Sequence, residues 1–236
     1  MYPSIESTVS DIFSADWSIT DGRVVPKTDD IVLKNGGKLI NATYLYADLA
    51  GSSRLAQTVY KETTAKIIRA YINTATRILR HYGGEIRSFD GDRVMAIFMG
   101  ADKNVRATRA ALAINWAVLD VIRPAIKEAW SDGDTICEIE HGIGIDTGEA
   151  LIVRGGVRDN NDLISVGAAP NIAAKLSLNP PVGLRRILDL GSILIRSVGR
   201  AGMVGLDAWC STGVPGCARL GWMVRWRRGR AGCKRW

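Results

Sequence analysis

The sequence predicts a mixed α/β domain whose sheet is largely antiparallel and flanked by helices. Three observations carry this: two long stretches with apolar residues at helical spacing, short β-branched and aromatic runs between them, and turn dipeptides that return one run beside the next. Thr43-Tyr-Leu-Tyr-Ala-Asp48 is the first such run, and it ends on a carboxylate. Ser52 or Ser53 then offers an N-cap for a helix running to about Tyr82, with Leu55, Val59, Ile67, Tyr71, Ala75 and Leu79 on its apolar stripe. Gly83-Gly84 stops it. Glu85 to Phe89 and Arg93 to Phe98 flank Asp90-Gly91-Asp92, a hairpin signal. A second helix is expected from about Val105 to Ala129. Cys137 to Ile145 alternates as a strand should, and Asp146-Thr-Gly148 is expected to turn it back into Glu149 to Arg154. Leu163 to Val166 is a further short strand, and Pro170 lies in the first turn of a helix over Pro170 to Leu176.

The composition bounds the function. The chain of 236 residues suffices for one sizeable core, or a core with a small appendage. Its net charge of +7 is unevenly placed. Through Ser177 there are 20 Lys and Arg against 22 Asp and Glu; from Leu178 onward there are 11 against 2. The body therefore lacks a basic footprint for nucleic acid. No apolar run approaches the ~20 residues that span a bilayer, and no secretory signal opens the chain, so a cytoplasmic location is expected. The four cysteines (Cys137, Cys210, Cys217, Cys233) have no close metal-ligand spacing, and with two histidines they argue against a structural zinc site.

The last 59 residues have no Glu, ten Arg, ten Gly and four of the seven Trp, and only Ile187 to Val198 keeps a short regular pattern. Arg225-Trp-Arg-Arg-Gly-Arg could serve as a basic patch. A Glu-free, Arg-Gly-Trp-rich segment is also what a GC-rich coding region yields out of frame, and a frameshifted terminus is the favoured expectation. The chain is thus expected to divide into an N-terminal extension (1–38), a main domain (39–177) and an atypical basic tail (178–236).

Asp48 ends a strand and is followed by Leu49-Ala-Gly51-Ser-Ser53 and a helix start. Backbone amides there favour phosphate, a neighbouring carboxylate can hold a divalent cation, and Gly51 permits close approach of the backbone. Alone, such an aspartate is more often a cap. Asp92, in a hairpin turn that an antiparallel neighbour could carry to the end of the Asp48 strand, makes a second carboxylate for in-line phosphoryl or nucleotidyl transfer. The alternatives are a plain turn, or Asp90 as the ligand in place of Asp92.

Four ordered motifs extend this reading. Tyr44-Leu-Tyr-Ala-Asp48-Leu-Ala-Gly-Ser-Ser, Phe89-Asp-Gly-Asp92-Arg-Val-Met-Ala-Ile-Phe98, His141-Gly-Ile-Gly-Ile-Asp-Thr-Gly148-Glu-Ala and Gly167-Ala-Ala-Pro-Asn171-Ile-Ala-Ala-Lys175-Leu follow one another. Together, over about Leu39 to Ser177, they resemble the class III nucleotidyl cyclase domain. The resemblance implies a class III cyclase-type, ferredoxin-like core. It implies two divalent cations, Mn²⁺ or Mg²⁺, on Asp48, Asp92 and the carbonyl of Leu49. It implies that Asn171 orients the ribose and transition state. Lys175 stands where the family usually has an arginine for the pentavalent phosphate; it keeps the charge and loses the bidentate fork. His141 and the Glu138/Glu140 pair are read as packing and as an exposed strand face.

The family's purine enzymes commonly read the base with a lysine four residues before the second metal aspartate, and with an Asp or small polar residue three before the last motif's glycine. Those positions are Ser88 and Ile164 here, so the adenine-reading pair is absent, and an isoleucine cannot hydrogen-bond a base. Arg87 and Asp162 are near in sequence, but strict strand alternation turns Arg87 away from Ser88. Gly22 to Pro26, Asp30 to Gly37, Leu-Tyr-Ala-Asp-Leu-Ala and Asn-Ile-Ala-Ala-Lys-Leu-Ser narrow the resemblance to the bacterial Pycsar-type pyrimidine cyclases. These make cyclic UMP or cyclic CMP from UTP or CTP in anti-phage defence, and the product activates a separate effector. The expectation is a homodimeric uridylate or cytidylate cyclase with sites shared between subunits. The alternatives are an adenylate or guanylate cyclase, or a truncated, inactive cyclase-like dimerisation module.

Overall fold

The computed structural model describes residues 4–130 and 139–178, and the backbone of residues 191–195. In chain order the elements are α1 (Ile5–Ser14), β1 (Ser18–Asp21), a 3-10 turn at Thr28–Asp30, β2 (Gly36–Ala50), α2 (Ser52–Thr58) and α3 (Lys61–His81). There follow β3 (Glu85–Asp90), β4 (Arg93–Phe98), α4 (Lys103–Ala117), a π-helical stretch (Val118–Ile122) and α5 (Arg123–Ala129). The remainder is β5 (Glu140–Val157), β6 (Asn160–Val166), α6 (Ala168–Leu178) and β7 (Gly191–Ile195).

One sheet holds all seven strands in the order β3-β4-β2-β5-β6, with these neighbours antiparallel. The start of β2 pairs with β1 and the start of β5 with β7, both parallel. The β5–β7 pairing, from His141↔Gly191 to Ile145↔Ile195, carries the sheet past Ser177. Residues 179–190 and 196–236, with most of the basic tail and three of the cysteines, lie outside the described residues, as do Cys137 and Glu138.

Strand alternation divides the sheet between two cores. Val94, Ala96 and Phe98 of β4 join Leu45 and Ala47 of β2 under α3 and α4, whereas Met95 and Ile97 join Tyr44 and the α6 residues Ala169 and Ala173 on the opposite face. On α3 the predicted stripe is real: Ile67, Tyr71, Ala75 and Leu79 recur every four residues and are buried.

Three expectations are corrected. The helix from Ser52 to Tyr82 is two helices, broken where Val59 is extended (φ −122°, ψ 152°) and Tyr60 is 88% exposed. Twelve residues separate Leu55 from Ile67, which on one straight helix would set them about 120° apart; the break lets both reach the same core. The second helix does span its predicted range, but through a π-helical stretch before Pro124. A proline lacks the N–H and crowds the carbonyl four residues back, and the wider turn relieves that. Finally, Asp146-Thr-Gly148 is no turn. β5 runs straight through it, in unbroken register with β2 from Gly37↔Val153 to Ala50↔Glu140. Thr147 donates to Asn104 Oδ1 at 2.7 Å and lies 2.9 Å from the Thr43 hydroxyl, so residues that look like turn formers are satisfied inside the sheet. The reversal comes at Arg158–Asp159 instead, where Asp159 has φ 68° and Val157 pairs with Asn160.

Candidate active site

Asp48 lies near the end of β2, paired with Arg93 of β4 and Gly142 of β5. The β3–β4 connection is a two-residue turn, because Asp90 pairs with Arg93 and Gly91 takes φ 62°. A glycine first in such a turn matches the right-handed twist of the strands. The second turn residue is Asp92. It therefore sits at the hairpin end beside Asp48, the convergence the motif spacing anticipates.

The electrostatics fit a cation site. Burial, reinforced by the Asp92 carboxylate, raises the Asp48 pKa to about 6, against the opposing pull of Arg93. Among the described residues, Asp92 Oδ2 is buried without a hydrogen-bond partner. Two half-buried carboxylates that repel each other, one with an orphaned oxygen, form an acceptor set whose compensation is a divalent ion. Among the described residues no third His, Cys, Asp or Glu gathers with them. Asp90 is different: it is exposed and bound to Arg93, which leaves Asp92 as the inward carboxylate of the turn.

Gly51 caps α2 in the left-handed region with φ 74°, while a Cβ there would meet nothing, so its backbone conformation is what requires glycine. With Leu49, Ser52, Arg54 and Ile139 it lines an open pocket at the end of β2. The side chain of Leu49 itself is buried in the core.

Asn171 and Lys175 lie elsewhere. They are one turn apart on the exposed side of α6, while Ala169, Ala173 and Ser177 face the sheet. Beneath them Gly142 and Gly144 leave room for the helix backbone: a Cβ on Gly144 would collide with the Ala173 carbonyl, and one on Gly142 with that of Ser177. The sequence His141-Gly-Ile-Gly-Ile thus provides a seat for the helix. Gly144→Ala is expected to cost about 1–3 kcal/mol of stability by overpacking, read by denaturant unfolding, with wild-type stability as the contrary result.

Sequence reasoning passed over two residues, Arg93 and Tyr71, whereas the packing role expected of His141 matches its burial. The Arg93 guanidinium stands 5.4 Å over the Tyr46 ring, next to Asp48; only its place directly after Asp92 hinted at this. Tyr71 reads as stripe, yet its buried hydroxyl has no partner among the described residues, and burial together with Asp48 and Asp92 raises its pKa. His141 is buried beside Tyr71, and burial, then Arg123, lowers its pKa to about 3, so it is a neutral packing residue. Glu140 is exposed.

Ser88 and Ile164 occupy β3 and β6. The Ser88 hydroxyl points to the Met95 sulfur at 3.7 Å, and Ile164, 51% exposed, packs on Gly155. Arg87 is ion-paired with Asp162, so these two side chains meet although their strands end the sheet order on opposite sides.

No protein-family model matches the chain. It is 45% identical over 177 residues to a uridylate cyclase of Rhodovulum sp. (strain MB263), covering 73% of this chain and 72% of the relative. It is 42% identical over 175 residues to a uridylate cyclase of Burkholderia cepacia, covering 73% and 75%. Among solved structures, the adenylyl cyclase CyaB of P. aeruginosa superposes with a TM-score of 0.53 at 25% identity, over 59% of this chain and 72% of that one.

Proposed function

Because the chain belongs to the uridylate cyclase family of class III nucleotide cyclases, we propose that it converts UTP to 3′,5′-cyclic UMP and pyrophosphate at a site centred on Asp48 and Asp92. The observation that carries this is the pair of converging carboxylates with an unpartnered buried oxygen on Asp92. Class III cyclases depend on divalent metals. For this chain the reading is two cations, Mn²⁺ or Mg²⁺, held by Asp48, Asp92 and the Leu49 carbonyl. Bound there, the cations would favour the ribose 3′-alkoxide and neutralise the departing pyrophosphate. The 3′-hydroxyl gives up its proton to solvent, its oxygen bonds to the α-phosphorus, and the bond from that phosphorus to the bridging oxygen breaks to release pyrophosphate.

The chain's own groups do the positioning. Backbone near Gly51 borders the triphosphate, and Ser88 and Ile164 border the base. Class III homologues typically dimerise. Asn171 and Lys175 face away from the sheet that carries the aspartates, which supports a homodimer in which each site takes its carboxylates from one copy and its α6 residues from the other. Lys175 would neutralise the α-phosphate as a point charge. The product would act on a separate effector in anti-phage defence, in the cytoplasm; no helix among the described residues is long and apolar enough to cross a membrane.

Incubation of purified protein with each of the four NTPs and Mn²⁺, with products identified by mass spectrometry, tests the reaction and the base together. Cyclic UMP is the expected product. Turnover of ATP or GTP alone would overturn the base assignment, and a folded dimer that turns over none would be the inactive dimerisation module. For the tail, resequencing the coding region tests the frameshift: an intact frame in independent isolates removes it.

A further inference from the structure

Strand β3 does not alternate regularly. Ile86 pairs with Ala96 but Ser88 pairs with Met95, so Arg87 is an extra residue without a place in the ladder. The two sides of this bulge face different cores. Ile86 packs with the cluster under α3 and α4, and Ser88 contacts Met95 of the cluster on the other face. Simple alternation, which turns Arg87 away from Ser88, therefore fails here. Arg87 keeps only 18% of its side chain exposed, and its Nη2 donates to Asp162 Oδ1 across the sheet. That same oxygen accepts the Leu163 N–H at 2.7 Å, which holds the carboxylate in one orientation on a side chain that is 69% exposed.

Neither of the two residues expected to border the base offers a free donor and a charged acceptor. Ile164 is apolar, and the Ser88 hydroxyl is turned to sulfur. Their near neighbours do: Arg87 has N–H donors beyond the one spent on Asp162, and Asp162 has a second oxygen. A donor and an acceptor held side by side match an edge with a carbonyl beside an N–H.

We propose that Arg87 and Asp162 read the uracil edge, Arg87 donating to a ring carbonyl and Asp162 Oδ2 accepting the N3–H. The proposal rests on the cyclase reading above and adds its base discriminator. Cytosine presents the opposite order, an amino group beside a bare ring nitrogen. In a pair whose orientation is set by a bulge and a backbone N–H, it would face donor with donor and acceptor with acceptor. Guanine shares uracil's order, so the pair selects oxo over amino, and ring size is left to the rest of the pocket.

The experiment compares kcat/KM for UTP, CTP and N3-methyl-UTP at saturating Mn²⁺, in the wild-type protein and in Arg87→Lys and Asp162→Asn. The wild type should favour UTP over both others by at least about tenfold. Either variant should cut the UTP-to-CTP ratio by about tenfold or more, with the Mn²⁺ dependence unchanged. Equal turnover of UTP and N3-methyl-UTP by the wild type overturns the proposal without any variant having to fold. A wild-type UTP-to-CTP ratio in both variants overturns it too, and would make the ion pair a strap between sheet edges. Wild-type protein that forms no cyclic UMP fails at the earlier step, and so tells against the cyclase reading instead.

Discussion

Asp48→Asn should lower UTP cyclisation by about a thousandfold or more, on the order of 4 kcal/mol of transition-state stabilisation, while making the metal-free protein more stable above pH 6. Loss of activity follows from removing one of two anionic ligands. The gain in stability follows from the same charge. Burial and Asp92 raise the Asp48 pKa to about 6, from an ordinary value of 3.8. The folded chain therefore holds this proton more tightly than the unfolded one. Its contribution to stability is complete below about pH 3.8 and is lost as the pH rises through about 6. Asparagine carries no such charge, so the stability of Asp48→Asn relative to wild type should grow between pH 4 and 6 and then level off.

His141 runs the other way. Its lowered pKa means its contribution is present above pH 6.5 and is lost as the pH falls through about 3. That dependence is common to both proteins and cancels in the difference. Thermal melts in chelator and in Mn²⁺ check the whole prediction. Mn²⁺ should raise the wild-type melting temperature more at pH 7.5 than at pH 5, and should do little for the variant. A variant that keeps a tenth of wild-type activity, or that melts below chelated wild type at pH 7.5, contradicts the assignment.

The aspartates were legible in sequence because both sit where local rules are strong: a strand end before a capped helix, and a glycine turn between two apolar runs. The helix carrying Asn171 and Lys175 was legible for the same reason, through Pro170 in its first turn. What sequence missed was set by distant partners. Nothing local in Asp146-Thr-Gly148 reveals that Thr147 will bond to Asn104 on α4, and without that bond the tripeptide has the chemistry of a turn. The β3 bulge is similar. Alternation is the default for any short strand, and one slipped pairing at Arg87 is decided by which core each side of the strand must fill. The site's carboxylates survived these errors because a turn and a strand end do not depend on the register between them. The faces of β3 on either side of Arg87 did depend on it, and there simple alternation fails.

Mixing two inactive variants should restore activity. If each site takes Asp48 and Asp92 from one copy and Asn171 from the other, Asp48→Asn and Asn171→Ala damage different halves of it. A mixed dimer then concentrates both lesions in one site and leaves the second intact. Random exchange makes half the dimers mixed, each with one working site of two, so the mixture should recover about a quarter of wild-type activity. The geometry favours this outcome: α6 presents Asn171 and Lys175 outward while Ala173 and Ser177 lie over Gly144 and Gly142, the latter paired with Asp48. Within one copy the helix backbone stands between those side chains and the strand carrying the aspartate. Each variant is assayed alone, then after co-refolding or co-expression. A mixture no more active than the sum of its parts would place Asn171 in the same subunit's site or outside catalysis. Recovery near a quarter would fix the functional unit as two chains, with each Asp48 served by the other chain's Asn171.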